Sequence, residues 1–365
     1  MEQQVISKHI SDEFQAVVKQ KSISKILLIC GENVGKTAIG QYFTTDNHVR
    51  VVFSDFEPNP SYESVVKAVN CFQNNQCDAI MAIGGGSAMD VGKCVKAFLN
   101  MDSSISYLEQ KIIPNAIPYL VIPTTAGTGS EATKFAVIYE QEEKKSVEDE
   151  SLIPEYVFLD RSLMETLPLF QKKVTMMDAL CHSIESFWAN GATEESRKYS
   201  KQGLTLILKN YREYLKGNSS AAKDMLIASN YAGRAINIAK TTAAHAMSYK
   251  LTKIYELPHG QAAANCLSQV WEYTWIQAQK EKKEDLLFYL QQLAELWRTD
   301  SICDSIQKYR DMLKELEITV DVHASKKDLE ILTQSVNVER LKNHPVFFSK
   351  NIIGKMYYRL LEGDL

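Results

Sequence analysis

Four side chains able to ligate a metal ion lie between residues 178 and 259 of this 365-residue chain. Asp178 and His182 are four residues apart in MMDALCHSIESFW, so on a helix their side chains lie on one face, a single turn apart. His245 and His259 lie in KTTAAHAMSYKLTKIYELPHG, residues 240–260, which contains a single acidic residue. One carboxylate and three imidazoles suit Fe(II) or Zn(II) and would leave a coordination position open for a substrate oxygen.

Each of these histidines would be weak evidence alone, because a single histidine on a helix is more often a structural residue than a ligand. The combination favours a site, since three of the seven histidines fall in two predicted helical segments and one occupies a Pro-His-Gly turn. The remaining histidines have no such neighbours and are interpreted as surface or structural residues: His9, His48, His323 and His344.

Two glycine- and hydroxyl-rich loops in the first half could hold a dinucleotide. AIMAIGGGSAMDVGKCVKAF passes from an apolar strand through three glycines into a helix whose N-terminus holds Ser87. Glycines let the backbone approach a pyrophosphate, and free N–H groups with the helix dipole favour its negative charge. PTTAGTGSEAT, residues 123–133, forms a second such loop directly after a strand. A tight turn without a ligand is the alternative interpretation of the first loop.

Proline usage and periodicity divide the chain, because seven of nine prolines lie at or before Pro168. Short apolar runs predict strands at residues 26–30, 51–53, 79–83, 119–122 and 156–159. Longer periodic segments predict helices at 196–215, 221–239, 281–297 and 302–316. We therefore predict an α/β, Rossmann-like dinucleotide-binding domain at residues 1–161. An all-α, metal-binding and catalytic domain is predicted at 162–365.

The four motifs together resemble the iron-dependent (group III) alcohol dehydrogenases. DALCHSIES resembles the D-A-x-x-H-x-x-E segment of that family, and AHAMSYKLTKIYELPHG resembles its second histidine segment. GGGSAMDVGK and PTTAGTGSEAT resemble its two cofactor segments, in the same order. The resemblance covers nearly the whole chain and implies a dehydroquinate synthase-like architecture with NAD(P)H-dependent aldehyde reduction.

Residue roles follow from the resemblance. Asp178, His182, His245 and His259 would hold the metal, which polarises the carbonyl oxygen as hydride arrives from nicotinamide. The cofactor would contact Gly31, Gly85, Gly86, Ser87, Asp90, Thr124, Thr125, Thr128, Ser130 and Lys145.

Two positions depart from the family. Many members carry an Asp after the first strand that receives the adenosine ribose hydroxyls, whereas this chain has Gly31, which permits NADP(H), with Lys36 as a countercharge. Many members also carry a second histidine, assigned to proton relay, where this chain has Tyr249. A phenol with an ordinary pKa of ~10 relays protons poorly at neutral pH, so we expect Tyr249 to orient the substrate.

Three cationic residues could bind an anionic substrate. Lys240, Arg234 and Lys250 lie close in sequence to His245, and solvated surface cations are the alternative interpretation. TTAAHAMSYKLT, ESFWA, TEESRKYSKQ and ERLKNHPV resemble the phosphonoacetaldehyde reductase branch of the family, which produces 2-hydroxyethylphosphonate. Cationic side chains suit a phosphonate, with Lys240 the first choice. A general reductase of short or sugar-derived aldehydes remains the alternative.

Two other enzyme classes fit the sequence less well. GENVGKT resembles the P-loop of an NTPase, but Gly31 and Gly35 enclose three residues where that motif requires four. A dehydroquinate synthase-type lyase shares the two-domain plan but would normally have a Glu among the ligands, where this chain has Asp178.

Composition narrows the remaining possibilities. A formal net charge of -4 gives no basic footprint for nucleic acid, and the sequence contains neither a long apolar run nor a signal-peptide pattern. The seven cysteines include no C-x-x-C spacing and are expected to be reduced thiols. We expect a cytoplasmic homodimer acting on a small-molecule substrate.

Overall fold

The computed structural model describes residues 3–141 and 143–362, which form two compact units. The first unit comprises Met1–Leu167 with Gly217–Gly233, and the second comprises Pro168–Lys216 with Arg234–Leu365. The sequence-based division at residues 161 and 162 stays a proposal about domains. It lies close to the start of the second unit, and it does not anticipate that residues 217–233 belong to the first.

A six-stranded parallel sheet forms the centre of the first unit. Its strands are β1 (Gln4–Ile6), β2 (Ile26–Cys30), β3 (Val49–Phe53), β4 (Ala79–Gly84), β5 (Tyr119–Pro123) and β8 (Tyr156–Phe158), in the order β1-β8-β5-β4-β2-β3. An antiparallel pair is formed by β6 (Phe135–Glu140) and β7 (Glu143–Glu148). The helices between strands are α1 (Ile10–Gln20), α2 (Ala38–Thr45), α3 (Tyr62–Asn74) and α4 (Gly86–Phe98).

The central strands are apolar because both faces of the sheet are covered. Every residue of β2 and β5 is buried, which is typical of parallel strands with helices on both sides. This continuous apolar character is the signal that predicted them, and all five predicted strands are confirmed. The short edge strand β1 and the strand β7 were missed, since their residues are largely accessible and mixed in polarity. Strand β6, FAVIYE, was missed although it is mainly apolar.

Strand register brings the carboxyl ends of three neighbouring strands to one edge of the sheet. Cys30 pairs with Ile83 and Gly84 pairs with Pro123, so β2, β4 and β5 end side by side. The neighbours of β2 are β3 on one side and β4 on the other, which makes this edge a topological switch point. Ligands of open parallel sheets bind at such a point.

The second unit is helical. Its helices are α5 (Leu169–Trp188), α6 (Glu194–Leu215), α8 (Ala243–Tyr255), α9 (His259–Lys280), α10 (Glu284–Leu296), α11 (Ile302–Glu315), α12 (Lys326–Ser335), α13 (Val338–Leu341) and α14 (Lys350–Glu362). Helix α7 (Ser219–Ala239) contributes residues to both units. The predicted fold class, an α/β part followed by a helical part, is confirmed. Among the described residues no helix combines the length and apolar character needed to cross a membrane.

Backbone contact between two glycines holds the loop after β5 against α7. Gly129 has a φ of +60°, which favours glycine, and a Cβ built on Gly233 would lie 2.4 Å from the Gly129 carbonyl oxygen. A Cβ on Gly129 would in turn lie 2.5 Å from the Gly233 Cα. The two segments can therefore approach this closely only because neither residue has a side chain.

Replacing Gly233 with Ala should destabilise the first unit and displace the loop after β5. The added methyl group clashes with backbone, which costs about 1–3 kcal/mol, and the better helix propensity of Ala offsets up to ~1 kcal/mol. We expect a lower Tm, measured by thermal unfolding, and a higher KM for the dinucleotide that the sequence predicts, measured by steady-state kinetics. Gly35→Ala is the control, because a Cβ on Gly35 meets no atom within 4 Å. Equal stability of the two variants would contradict the close contact.

Candidate metal and cofactor sites

The predicted metal-binding side chains converge within the helical unit. One ligand atom from each of Asp178, His245 and His259 lies within 4.8 Å of the others. The fourth predicted ligand, His182, places its Nε2 3.9 Å from the same Asp178 Oδ1, and its ring stacks on that of His245 at 4.6 Å between centroids. One cluster is thus formed by two residues four apart on α5, one residue from α8 and one from α9.

Access to this cluster is from one side. The side chains of Asp178, His182 and His245 are at most 7% exposed, whereas that of His259 is 38% exposed. His259 is the first residue of α9, directly after the N-cap Pro258, so its ring lies at the margin of the cluster. An incoming ligand would therefore reach the cluster past His259.

Glycine in the Pro-His-Gly turn has a packing role. A Cβ on Gly260 would lie 2.0 Å from the Val174 carbonyl oxygen and 3.0 Å from the Asp178 Cβ. The first turn of α9 therefore lies directly on α5, at the level of the carboxylate. Pro258 has a φ of -54°, which suits the entry of the chain into a helix. The motif brings His259 to Asp178 through these two backbone requirements.

Glu185, to which no role was given from the sequence, orients His245. Its Oε1 accepts hydrogen bonds from the Thr242 N–H at 3.1 Å, the Thr242 hydroxyl and the Ala244 N–H at 3.0 Å. Its Oε2 accepts from His245 Nδ1. Helix α8 lacks a cap from its own N-cap side chain, so Glu185 on α5 acts as that cap. Because Nδ1 is directed at Glu185, Nε2 faces Asp178 Oδ1, 3.4 Å away.

Neighbouring groups keep the carboxylates of Asp178 and Glu185 ionised. Burial alone would raise the pKa of Asp178, but the imidazoles of His182, His245 and His259 outweigh it and hold that pKa well below its usual range. Burial would likewise raise the pKa of Glu185, and His245 with the Thr242 hydroxyl lowers it instead. Burial would lower the pKa of His245, but the two carboxylates raise it to about 9.

The donor set fits a divalent metal ion. An ionised carboxylate and imidazole nitrogens converge on one point, and a carboxylate behind His245 fixes the tautomer that a ligand needs. Glu185 accepts a hydrogen bond from the ring nitrogen of His245 that faces away from the cluster, as carboxylates typically do behind metal-binding histidines. A signal for it was present in the sequence, as the Glu of D-A-x-x-H-x-x-E three residues after His182.

Tyr249 lies beside the exposed ligand. Its ring stacks parallel to that of His259, with 5.6 Å between centroids and 4° between planes. Its hydroxyl accepts a hydrogen bond from Arg340 Nη1 at 2.7 Å. Burial raises the pKa of Tyr249, with a smaller opposing effect of Arg340. The phenol is therefore neutral at physiological pH, and the orienting role of Tyr249 stays a prediction.

The predicted cofactor loops meet at the carboxyl edge of the sheet, within the first unit. The Thr124 N–H donates to the Gly84 carbonyl at 2.9 Å, and a Cβ on Gly86 would lie 3.2 Å from the Thr128 side chain. Thr124, Thr125 and Thr128 are half-buried and line this edge. The Ser87 hydroxyl, at the start of α4, accepts from the Asn59 N–H at 3.3 Å. The two loops form one continuous surface next to the N-terminus of α4.

Ser130 and Asp90 have internal partners. The Ser130 hydroxyl donates to Asp90 Oδ1 at 3.0 Å and accepts from Lys93 Nζ at 2.9 Å. Lys93 is fully buried and also donates to the Thr133 hydroxyl and the Phe135 carbonyl. Burial lowers the pKa of Lys93 to about 8, against the attraction of Asp90. In this structure the two predicted cofactor residues support the loop through Lys93, which was missed.

The remaining predicted cofactor residues lie elsewhere in the first unit. Gly31 is exposed directly after β2, and a Cβ built on it meets nothing within 4 Å. Lys145 lies on β7, where its Nζ is 2.9 Å from Glu143 Oε2. The nearby Lys36 donates to Asn33 Oδ1 at 2.5 Å.

The predicted substrate-binding cations are dispersed along α7 and α8. Lys240 is exposed and has a φ of +60° just after α7, while Lys250 is half-exposed on α8. The guanidinium of Arg234 lies 5.7 Å from the centroid of the Tyr199 ring. By contrast Arg340, which was not predicted, contacts Tyr249.

Comparison with known proteins gives consistent similarity over most of the chain. Residues 2–161 match the family model for iron-containing alcohol dehydrogenase, and residues 172–360 match that for the C-terminal part of the Fe-containing alcohol dehydrogenase family. The 1,3-propanediol dehydrogenase of Citrobacter freundii is 32% identical over 73% of this chain and 72% of its own length. The sulfoacetaldehyde reductase of Bilophila wadsworthia is 30% identical over 73% of this chain and 71% of its own.

Solved structures share the fold. An iron-containing alcohol dehydrogenase from Thermotoga maritima superposes with a TM-score of 0.85 at 27% identity, covering 99% of this chain and 98% of that one. The sulfoacetaldehyde reductase from Bifidobacterium kashiwanohense, solved in complex with NAD+, gives a TM-score of 0.86 at 23% identity, with coverage of 99% and 98%.

Replacing Glu185 with Gln should weaken metal binding without removing a ligand. The amide oxygen can still accept from Thr242 and Ala244, but its NH₂ group would face the Nδ1–H of His245. Loss of such a second-sphere partner typically costs about 10–100-fold in metal affinity, measurable by competition with a chelator.

Two further variants serve as comparisons for the metal affinity of Glu185→Gln. His259→Ala should lower metal content and activity more than Glu185→Gln, because it deletes a donor. Glu213→Gln is the control, since that exposed carboxylate on α6 pairs only with Lys216 among the described residues. A Glu185→Gln protein that is correctly folded and keeps full metal affinity would contradict the orienting role.

Proposed function

Because the chain belongs to the iron-containing alcohol dehydrogenase family, we propose that it is a metal-dependent, NAD(P)H-dependent aldehyde reductase that acts on a short aldehyde with an anionic group. Phosphonoacetaldehyde, reduced to 2-hydroxyethylphosphonate, is the first candidate substrate. The proposal is supported above all by the cluster of Asp178, His182, His245 and His259, which has one accessible side.

The chain's own residues would perform distinct tasks. When bound, a divalent metal, Fe(II) or Zn(II), would supply Lewis-acid polarisation and the nicotinamide would supply hydride. Glu185 holds His245 in one tautomer, and burial excludes water from every ligand except His259. Tyr249, stacked on His259, would orient the aldehyde at the accessible side.

Proton delivery would not depend on ionisation of Tyr249. Its pKa is raised by burial, so the phenol stays protonated and serves as a hydrogen-bonding group. The proton for the alcohol would come from water or from the cofactor ribose.

The nucleotide would bind at the carboxyl edge of the parallel sheet. Gly85, Gly86 and Ser87 begin α4, where free N–H groups favour a pyrophosphate, and the half-buried threonines after β5 line the same edge. Gly31 follows β2 directly and has open space in place of a side chain, so position 31 itself supplies no carboxylate against a 2′-phosphate. We propose that NADPH is accepted as well as NADH.

The anionic substrate is supported by motif similarity and by one relative. The segments ESFWA, TTAAHAMSYKLT and ERLKNHPV resemble the phosphonoacetaldehyde reductase branch, and the Bilophila relative is named for a two-carbon aldehyde that bears a sulfonate. Other relatives, a lactaldehyde reductase and 1,3-propanediol dehydrogenases, favour the alternative, a reductase of general short-chain or sugar-derived aldehydes.

Other aspects of the proposal follow the sequence. We propose a cytoplasmic homodimer with a role in phosphonate metabolism. The NTPase alternative loses support, because the GENVGKT segment forms a short 3-10 turn in which the Thr37 hydroxyl caps α2 by accepting from the Gly40 N–H at 3.1 Å. The lyase alternative loses support from the match to both alcohol dehydrogenase family models.

Substrate choice can be tested by comparing kcat/KM for phosphonoacetaldehyde, sulfoacetaldehyde, propanal and glycolaldehyde in the metal-loaded enzyme. The proposal predicts a preference of at least about 100-fold for an anionic aldehyde over propanal, since charge-assisted hydrogen bonds contribute roughly 1.5–3 kcal/mol each. Equal values for all four aldehydes would leave the general reductase as the function.

Cofactor choice can be tested at Gly31. Gly31→Asp should reduce kcat/KM with NADPH about 10-fold or more through charge repulsion, while that with NADH is kept or improved. Gly31→Asn, of similar size and no charge, is the matched control and should retain NADPH. A wild-type enzyme that uses only NADH would contradict the argument from the missing acid.

A further inference from the structure

We infer that Arg340 binds the anionic group of the aldehyde, at the accessible side of the metal cluster. This inference rests on the proposed function and identifies the residue that would select the substrate class. The ligand chemistry is a tetrahedral oxyanion on a short aldehyde, shared by phosphonates and sulfonates.

Arg340 lies close to the accessible side of the metal cluster. Arg340 Nη1 donates to the Tyr249 hydroxyl at 2.7 Å, and its guanidinium carbon lies 4.8 Å from the centroid of the same ring. Tyr249 in turn stacks on His259, the one ligand side chain that is 38% exposed. A cation is thus placed two side chains from the cluster, on the side from which a substrate would enter.

The charge of Arg340 differs in its surroundings from that of other arginines. Arg212 pairs with Glu315 at 2.7 Å and Arg310 pairs with Glu272 at 2.8 Å. Arg340, although half-buried, has no carboxylate within ion-pair distance among the residues that the structure describes. One of its five N–H donors is used on a neutral phenol, so the others can serve an anion. A partly desolvated cation without a counterion is favourable where a ligand supplies the charge.

Hydrogen bonds fix the chain segment that contains Arg340. Helix α13, which contains Arg340, is capped by Asn337, whose side chain accepts from the Glu339 N–H at 2.9 Å. Two residues after α13, Asn343 donates from its side chain to the carbonyls of Ala239 at 2.7 Å and Thr241 at 3.0 Å. These bonds fix the segment that contains Arg340 against the residues preceding α8. Helix α13, which contains Arg340, is therefore fixed next to the start of α8, the helix that contains His245.

Lys342, in the same segment, is a surface cation and differs from Arg340 in exposure and pairing. Its side chain is 72% exposed and its Nζ is 2.7 Å from Glu339 Oε2. Lys240, the residue first chosen from the sequence, is exposed as well. Arginine is also better suited than lysine to a tetrahedral oxyanion, because its planar fork can donate two parallel hydrogen bonds.

The decisive measurement is kcat/KM in Arg340→Gln for phosphonoacetaldehyde, sulfoacetaldehyde and propanal. We expect a loss of about 10–100-fold for whichever anionic aldehyde the wild type prefers, mainly through KM, and less than about 3-fold for propanal. Lys342→Gln is the matched control and should change neither. Arg340→Lys should recover part of the loss, and circular dichroism with Tm checks that each variant is folded.

Two further variants separate binding from positioning. If Arg340 acted only by orienting Tyr249, then Tyr249→Phe would reproduce the selective loss for anionic aldehydes, and the inference would be wrong. A selective loss in Lys240→Gln with none in Arg340→Gln would also overturn it, in favour of Lys240. Equal losses for anionic and neutral aldehydes in Arg340→Gln would show a structural role only.

An inhibitor distinguishes failure of this inference from failure of the proposed substrate. Ethylphosphonate and ethanesulfonate should compete with propanal in the wild type, with Ki raised at least about 10-fold in Arg340→Gln. If this holds while anionic aldehydes are not preferred, the anion site stands and the proposed substrate fails. If anionic aldehydes are preferred but neither inhibitor depends on Arg340, the proposed function stands and the anion is bound elsewhere.

Discussion

The hydrogen bonds received by the buried Glu185 carboxylate organise the helical unit. A charge without solvent is costly unless it is fully paired, and Glu185 is paired with two backbone N–H groups, a hydroxyl and an imidazole. Three of those donors belong to Thr242 and Ala244, so satisfying the carboxylate also fixes the start of α8 on α5. The orientation of His245 follows, because its Nδ1 is used in the same network. One electrostatic requirement thus sets both a helix position and a ligand geometry.

Close backbone contacts provide a second constraint, in both units. Gly260 lets the first turn of α9 touch α5 beside Asp178, and Gly129 with Gly233 lets the loop after β5 touch α7. At each point a methyl group would meet backbone atoms at 2.5 Å or less. Segments in such contact cannot shift without loss of packing, which suits elements that must present ligand-binding groups in fixed positions.

The polar residues of the loop after β5, residues 123–133, have two different roles. Thr124, Thr125 and Thr128 remain partly accessible, whereas Ser130 is buried between Asp90 and Lys93. A buried lysine needs acceptors, and this loop supplies hydroxyls and a carbonyl for it. Ser130 therefore stabilises the loop, while the three threonines can face a ligand.

The sequence alone determined the fold class, five of the six strands of the parallel sheet and the four candidate metal ligands, because these depend on local pattern. Apolar runs predict buried parallel strands, and an Asp four residues before a His shares a helix face whatever surrounds it. Tertiary structure decided which groups face one another. Glu185 and Arg340 lie 60 and 91 residues from His245 and Tyr249 respectively, and no local pattern encodes such pairings. The exposure that distinguishes His259 from the other ligands, and Arg340 from Lys240, likewise arises only when helices distant in sequence pack together.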